Sequence, residues 1–402
     1  MKRFTTHLRI VFIAILLLMT TMSTFAQADS TMLKSMDSVR ISLLTCGPGN
    51  QVYSYYGHTA IRYHDLARRQ DIAINYGIFS FQKSYFILRF VFGLTDYEMG
   101  IEDFATFIST YSHRGSWVKE QVLNLTREEK WAITQAIDVN YRPENRVYRY
   151  NYFYDNCTTR ARDMLISHIE GHVLYPASQS QKISYREMIH QWNQSHRWAR
   201  FGNDLLLGVH ADAATTNEQQ QFLPDSLRAD FAEAIVIDHQ GHRRSLVDST
   251  CYLVPPVEKH ESRTPITPLH CAVLWCVATL IICFAEWKFR RILWQYDLIV
   301  MLLSGIAGVI LLAMVFSQHP TVQLNFQILL LCPLHLFFLY PSVKALRNGH
   351  MHDYTKFWSI LLCAFLLLSF FQHYAEGMTL VALSLLCRYC WLYIYTHKIK
   401  NR

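Results

Sequence analysis

Three residues in the first half of this 402-residue chain have the types and order needed for thiol chemistry: His58, Asn75 and Cys157. Cys157 follows Asn156 and opens the run Cys157-Thr-Thr-Arg-Ala-Arg-Asp-Met-Leu-Ile166. Ala161, Leu165 and Ile169, with Met164 and His168, recur at helical spacing. The spacing predicts a helix whose first residue is Cys157, just behind an Asx cap. Unpaired amide N–H groups at such a terminus stabilise a thiolate and lower the thiol pKa. They can also receive an oxyanion. A cysteine nucleophile needs a base and a group that orients the base. His58, within Ser54-Tyr-Tyr-Gly-His-Thr-Ala-Ile-Arg62, is the best candidate base, and Asn75 the candidate orienter that fixes its tautomer. Asp71 and His64 are alternative orienters.

Blander roles compete with these. Cys157 could be a core thiol or a disulfide partner of Cys46 or Cys251, His58 a structural histidine, and Asn75 a polar residue near a turn. The soluble part holds three cysteines, an odd number, so in an exported domain at least one thiol stays unpaired within the chain. The remaining histidines show no metal-type spacing, and no phosphate loop or Gly-x-Ser-x-Gly elbow is present, so neither a metal nor another cofactor is expected.

The positioning elements are legible in part. Segments 40–45, 58–63 and 72–76 have strand character, with a charged turn at 65–70. A turn centred near Ala67 sets residue 58 opposite 75–77, which brings Asn75 beside His58. Thr126 and Glu129 form a capping-box pattern that opens a helix over about 127–140, and 147–154 is an aromatic run with strand propensity. Residues 212–265 are polar, contain proline, and read as a domain edge and linker. The soluble part is therefore expected to be α+β.

Hydrophobic residues make up 51% of the chain and charged ones only 17%, and the apolar excess sits in 268–396. A wholly cytosolic protein is excluded. The net charge of +7 could suggest nucleic acid, but the basic residues flank apolar runs and act as topology signals; no nucleic-acid partner is expected. Lys2, Arg3 and Arg9, an apolar run at 10–19 and Ala26-Gln-Ala28 make 1–28 a secretory signal peptide. Residues 29–265 then form the exported domain with its linker, and 266–402 a transmembrane domain. Five segments are expected to span, at about 269–286, 298–316, 322–340, 355–372 and 378–395. Their basic and non-basic connections alternate, which places the soluble domain outside and the C-terminus in the cytoplasm. Arg388, toward the inner end of the last span, is expected to snorkel. The polar Ser317-Gln-His-Pro320 and Asn325 face outward and could line a lipid mouth.

The order of a histidine first and an Asn-Cys pair later resembles the circularly permuted papain-like fold of NlpC-type peptidases and lecithin:retinol acyltransferase-like enzymes. A closer resemblance is to the Lnb N-terminal periplasmic domain family. It is carried by Tyr53-Ser-Tyr-Tyr-Gly-His58, Asn75-Tyr-Gly77, Arg114 with Gln121-Val-Leu-Asn-Leu-Thr126, Tyr148-Arg-Tyr150 and Asp155-Asn-Cys-Thr-Thr-Arg-Ala-Arg-Asp163. Leu207-Gly208 with Asp212, Phe222-Leu-Pro-Asp225 and the polar residues 317–325 add to it. The resemblance implies a lipoprotein N-acyltransferase of the bacterial inner membrane, catalytic domain in the periplasm. It would take an acyl chain from a phospholipid and place it on a diacylated lipoprotein. His58 and Cys157 fall on the family's catalytic pair; no third residue is matched by it. The rival readings are a cell-wall cysteine amidase or peptidase, and a non-enzymatic envelope binding protein.

Overall fold

The computed structural model describes residues 32–79, 84–85, 88–89, 92–175, 182–257 and 265–400. The expected signal peptide, 1–28, lies outside the described residues. The soluble part is built on a seven-stranded antiparallel sheet. Its strands are β1 (Val39–Cys46), β2 (His58–Asp65), β3 (Gln70–Ile78), β4 (Asp96–Asp103), β5 (Val118–Leu123), β6 (Val147–Arg149) and a late strand, Val247–Val254. The order across the sheet is late strand, β5, β1, β2, β3, β4, β6. Helix α1 (Phe104–His113) covers one face, around Cys46, Ala60, Ala73 and Phe107. Helices α2 (Arg127–Tyr141), α3 (Cys157–Ile166) and a later one, Pro224–Glu233, cover the other, around Ile61, Ile74, Leu165 and Phe231. The α+β expectation therefore holds.

Helix α2 starts where its capping box predicts: the Thr126 hydroxyl accepts from the Glu129 amide, and the Glu129 carboxylate accepts from the Thr126 amide. Helix α3 is shorter than the periodicity suggests and ends at Ile166, before Ile169. The expectation of a linker over 212–265 is corrected. Residues 217–254 are folded domain, and the Val247–Val254 strand pairs with β5 along its length. Its exposed outer position explains the polar composition that read as a linker.

Two helices lead to the apolar region: α4 (Tyr185–Trp192) and α5 (Arg197–Leu206). After a one-turn helix, Asn217–Gln220, come α6 (Pro224–Glu233), then β8 (Ile235–Ile237) and β9 (Arg243–Ser245), which form a three-stranded sheet with the earlier β7 (His172–Leu174), and the late strand β10 (Val247–Val254). The apolar region holds α7 (Pro268–Phe289), α8 (Trp294–Val315), α9 (Leu334–Arg347), α10 (Asp353–Leu368) and α11 (Met378–Lys400). Four stretches are long and apolar enough to cross a membrane: 268–289, 294–315, 320–347 and 378–397. The expected span at 355–372 is present as the 16-residue α10, about 24 Å long, against a hydrocarbon core of about 30 Å.

The third stretch departs most from expectation. It is broken into Pro320–Gln323, a 3₁₀ turn at Phe326–Leu329, and α9. The soluble domain fills the break. Gly208 N–H donates to Thr321 O at 2.8 Å, and Val209 N–H to Leu324 O at 2.8 Å. The Asn325 amide donates to Leu205 O at 2.9 Å, Gln327 to Asp204 O at 2.8 Å and Gln372 to Leu207 O at 3.1 Å. Asn325 is thus buried and engaged by the domain, so it does not line a lipid mouth. Irregular backbone at membrane depth needs such partners for its freed polar groups. From the domain side Arg186, 1% exposed, bonds Asp204, Asp212, Leu207 O and Gly208 O, which fixes the inserted loop.

Arg388 also departs from expectation. Its side chain is fully buried between Glu286 of α7 and Asp297 of α8, at 2.8 and 2.7 Å, instead of snorkelling. Two carboxylates supply the partners that a buried guanidinium requires.

Gly208 is the tightest point of the joint: a Cβ there would collide with the Leu324 carbonyl. Gly208→Ala should therefore destabilise by about 1–3 kcal/mol, whereas Gly202→Ala, which meets open space within α5, should not. Thermal unfolding of the detergent-solubilised chain measures both.

Candidate active site

Asn156 builds the helix terminus that presents Cys157. Its side-chain oxygen accepts from the Thr158 and Thr159 amides at 2.8 and 3.0 Å. Its side-chain nitrogen donates to Tyr152 O and Phe222 O, which ties the cap to two other segments. The Arg160 amide bonds Asn156 O, so the amide of the first turn left outside the cap is that of Cys157 itself. The cap is the one the sequence predicts.

His58 begins β2. Ala60 pairs with Asn75 across the β2–β3 ladder, so His58 and Asn75 are diagonal neighbours on one face. His58 Nε2 lies 2.8 Å from Asn75 Oδ1, and the Gly77 amide donates to the same oxygen at 2.9 Å. Because Asn75 Oδ1 accepts from Gly77, the amide orientation is set and His58 Nε2 must carry the proton donated to it. That leaves Nδ1 for Cys157, and the imidazole and the thiol each shift the other's titration. Asp71 and His64 take no part: Asp71 is held by Arg62, and His64 stands near Asp71.

The electrostatics separate the three soluble thiols. Burial pushes the Cys157 thiol up, but the His58 charge and hydrogen bond, the Thr59 amide and the Thr158 hydroxyl outweigh it and bring it down to about 7. Burial works against charge on His58, yet Cys157, Asn75 and the Glu102 carboxylate together hold the imidazole above its ordinary value. Each group raises the ionised fraction of the other, so the pair tends to thiolate and imidazolium. Cys46, buried beside them, is pushed far up by burial, and Cys251 is raised by burial and Glu120. All three are free, so Cys157 is in no disulfide with Cys46 or Cys251.

The structure thus brings His58, Asn75 and Cys157 together and adds groups the sequence reading left out. Gly77 is one: a Cβ there would sit 2.8 Å from His58 Cε1 and 3.3 Å from Asn75 Oδ1. Its place opposite His58 in the hairpin register was the available signal. The Thr59 amide, the Thr158 hydroxyl and Glu102 act through space that only the folded sheet defines.

Alkylation of Cys157 should rise with pH through about 7. In His58→Ala the inflection should move up to about 8.5 or higher, because the thiolate's partner is lost while burial remains. Gly77→Ala should shift it in the same direction by pushing the imidazole aside. Iodoacetamide labelling with peptide mapping across pH checks both.

Comparison with known proteins agrees with this architecture. Residues 26–190 match the Lnb N-terminal periplasmic domain, and residues 259–400 match the Lnb transmembrane domain. No curated protein and no solved structure matches the chain. With a periplasmic domain followed by a transmembrane one, it is an inner-membrane protein whose family points to an enzyme that modifies lipoproteins. The chain belongs to the Lnb family.

Proposed function

We propose that this protein is a lipoprotein N-acyltransferase that works by double displacement through Cys157. One observation carries the reading: a thiol lowered to about 7 by an Asn-oriented histidine sits on a domain whose backbone is paired into the break of a membrane segment. A water-soluble peptide substrate needs no such joint; two lipid substrates do. The same reading takes the domain as a permuted papain-like fold, the apolar region as five crossings, and the C-terminus as cytoplasmic.

In the first half-reaction the Cys157 thiolate attacks the ester carbonyl carbon of a phospholipid. The oxyanion is received by the Cys157 amide at the helix terminus. The ester C–O bond breaks, and the His58 imidazolium gives its proton to the departing lysophospholipid oxygen. In the second, the free α-amino group of a diacylglyceryl-cysteine attacks the thioester. His58 takes the amine proton, the C–S bond breaks, and the thiolate returns beside the imidazolium. Asn75 keeps the imidazole aligned throughout.

The test is mass spectrometry of a lipoprotein N-terminus from cells with the protein, without it, and with Cys157→Ser. Only the unsubstituted protein should add one amide-linked acyl chain, and Cys157→Ser should lose nearly all of it. An N-acyl chain present in all three would refute the reading; cleaved wall peptides in its place would identify a cysteine amidase.

A further inference from the structure

A strip of aromatic rings leads away from Cys157. Tyr97 and Tyr150 pack in the same cluster as Cys157 and both sense its charge. They stack on each other with ring centroids 4.0 Å apart. Phe79 stacks on Tyr97 at 4.7 Å, and Tyr53 meets Phe79 edge-on at 5.9 Å. Tyr53 is 55% exposed, so the strip runs from the thiol to the surface.

That surface adjoins the apolar region. Exposed Ile78 ends β3, and the connection from β3 to β4 carries exposed Tyr85 and Leu88. At its far end Phe92 O accepts from the Gln318 amide, and Gly93 lies against Gln318 and His319 at the end of α8. The end of β3 that leads into this connection therefore abuts His58 through Gly77, and the connection's far end abuts residues 318–319 of the apolar region.

The chemistry of the strip selects its occupant. It presents the edges of stacked rings, and none of its four members carries a charge. A peptide would need free backbone partners, but β4, which carries Tyr97, is already paired on both sides, with β3 and β6. A methylene chain needs only apolar wall. We propose that Tyr150, Tyr97, Phe79 and Tyr53 form the acyl-chain site, along which the fatty chain lies while it is thioester-linked to Cys157. The distal pair, Phe79 and Tyr53, contacts the last methylenes and so measures chain length. The inference rests on the thioester chemistry proposed above.

The full chain, without an amine acceptor, would be incubated with vesicles of equimolar dilauroyl- and dipalmitoyl-phosphatidylethanolamine, and the acyl adducts on Cys157 weighed. The unsubstituted protein should favour palmitoyl. Phe79→Ala and the surface variant Tyr53→Ala should each lower the palmitoyl-to-lauroyl ratio, by about fourfold for each methylene that loses its wall, while iodoacetamide still labels Cys157 at its usual rate. Adducts with an unchanged ratio in both variants would overturn the acyl-site inference alone. No adduct on the unsubstituted protein would overturn the thioester chemistry and this inference with it.

Discussion

The electrostatic pairing of the Cys157 thiol with the His58 imidazole is the interaction on which the rest of the site depends. A thiol buried without an imidazole beside it is pushed away from ionisation, as Cys46 is, one strand pairing away from His58. The local architecture exists to offset that penalty at position 157. Asn156 caps the helix and keeps the Cys157 amide outside the cap. The β2–β3 register sets Asn75 diagonal to His58, and Gly77 leaves room for the ring. Each feature is modest alone. Together they bring a thiol, an imidazole and the amide bonded to that imidazole from three different elements to one end of the sheet.

The second constraint is the joint between domain and membrane. A lipid-modifying site needs a fixed height above the bilayer, and a flexible linker cannot supply one. Here the chain after α5 pairs backbone-to-backbone with a broken apolar segment, and Arg186 locks the inserted loop from behind. The break leaves Thr321 and Leu324 carbonyls unpaired within their own segment, and the domain satisfies them. The polar residues Asn325, Gln327 and Gln372 are the seam of this joint. The buried Arg388 group ties α7, α8 and α11 at the other end of the bundle.

Much of the site was legible in the sequence because its signals are local. An Asn-Cys pair before a helical period, a hairpin with a charged turn, and a capping box each report on a few neighbouring residues. The strand β4 and helix α1 carried no such signal, and β10 read as linker because an edge strand is half polar. The joint was illegible for a different reason. Asn325 and Arg388 looked like exposed or snorkelling groups, since nothing near them in sequence reveals the carbonyls and carboxylates that surround them in the fold. Partners more than ninety residues away must be seen to be counted.

The central claim is that Cys157 carries the acyl chain between two lipids. It is tested most directly by exposing the full chain to phosphatidylethanolamine vesicles with no amine present and weighing the intact protein before and after hydroxylamine. The account predicts a single acyl chain on Cys157, removed by hydroxylamine, forming at least about 10²-fold more slowly in His58→Ala. A protein that never gains the chain, or gains it equally fast without His58, would contradict it.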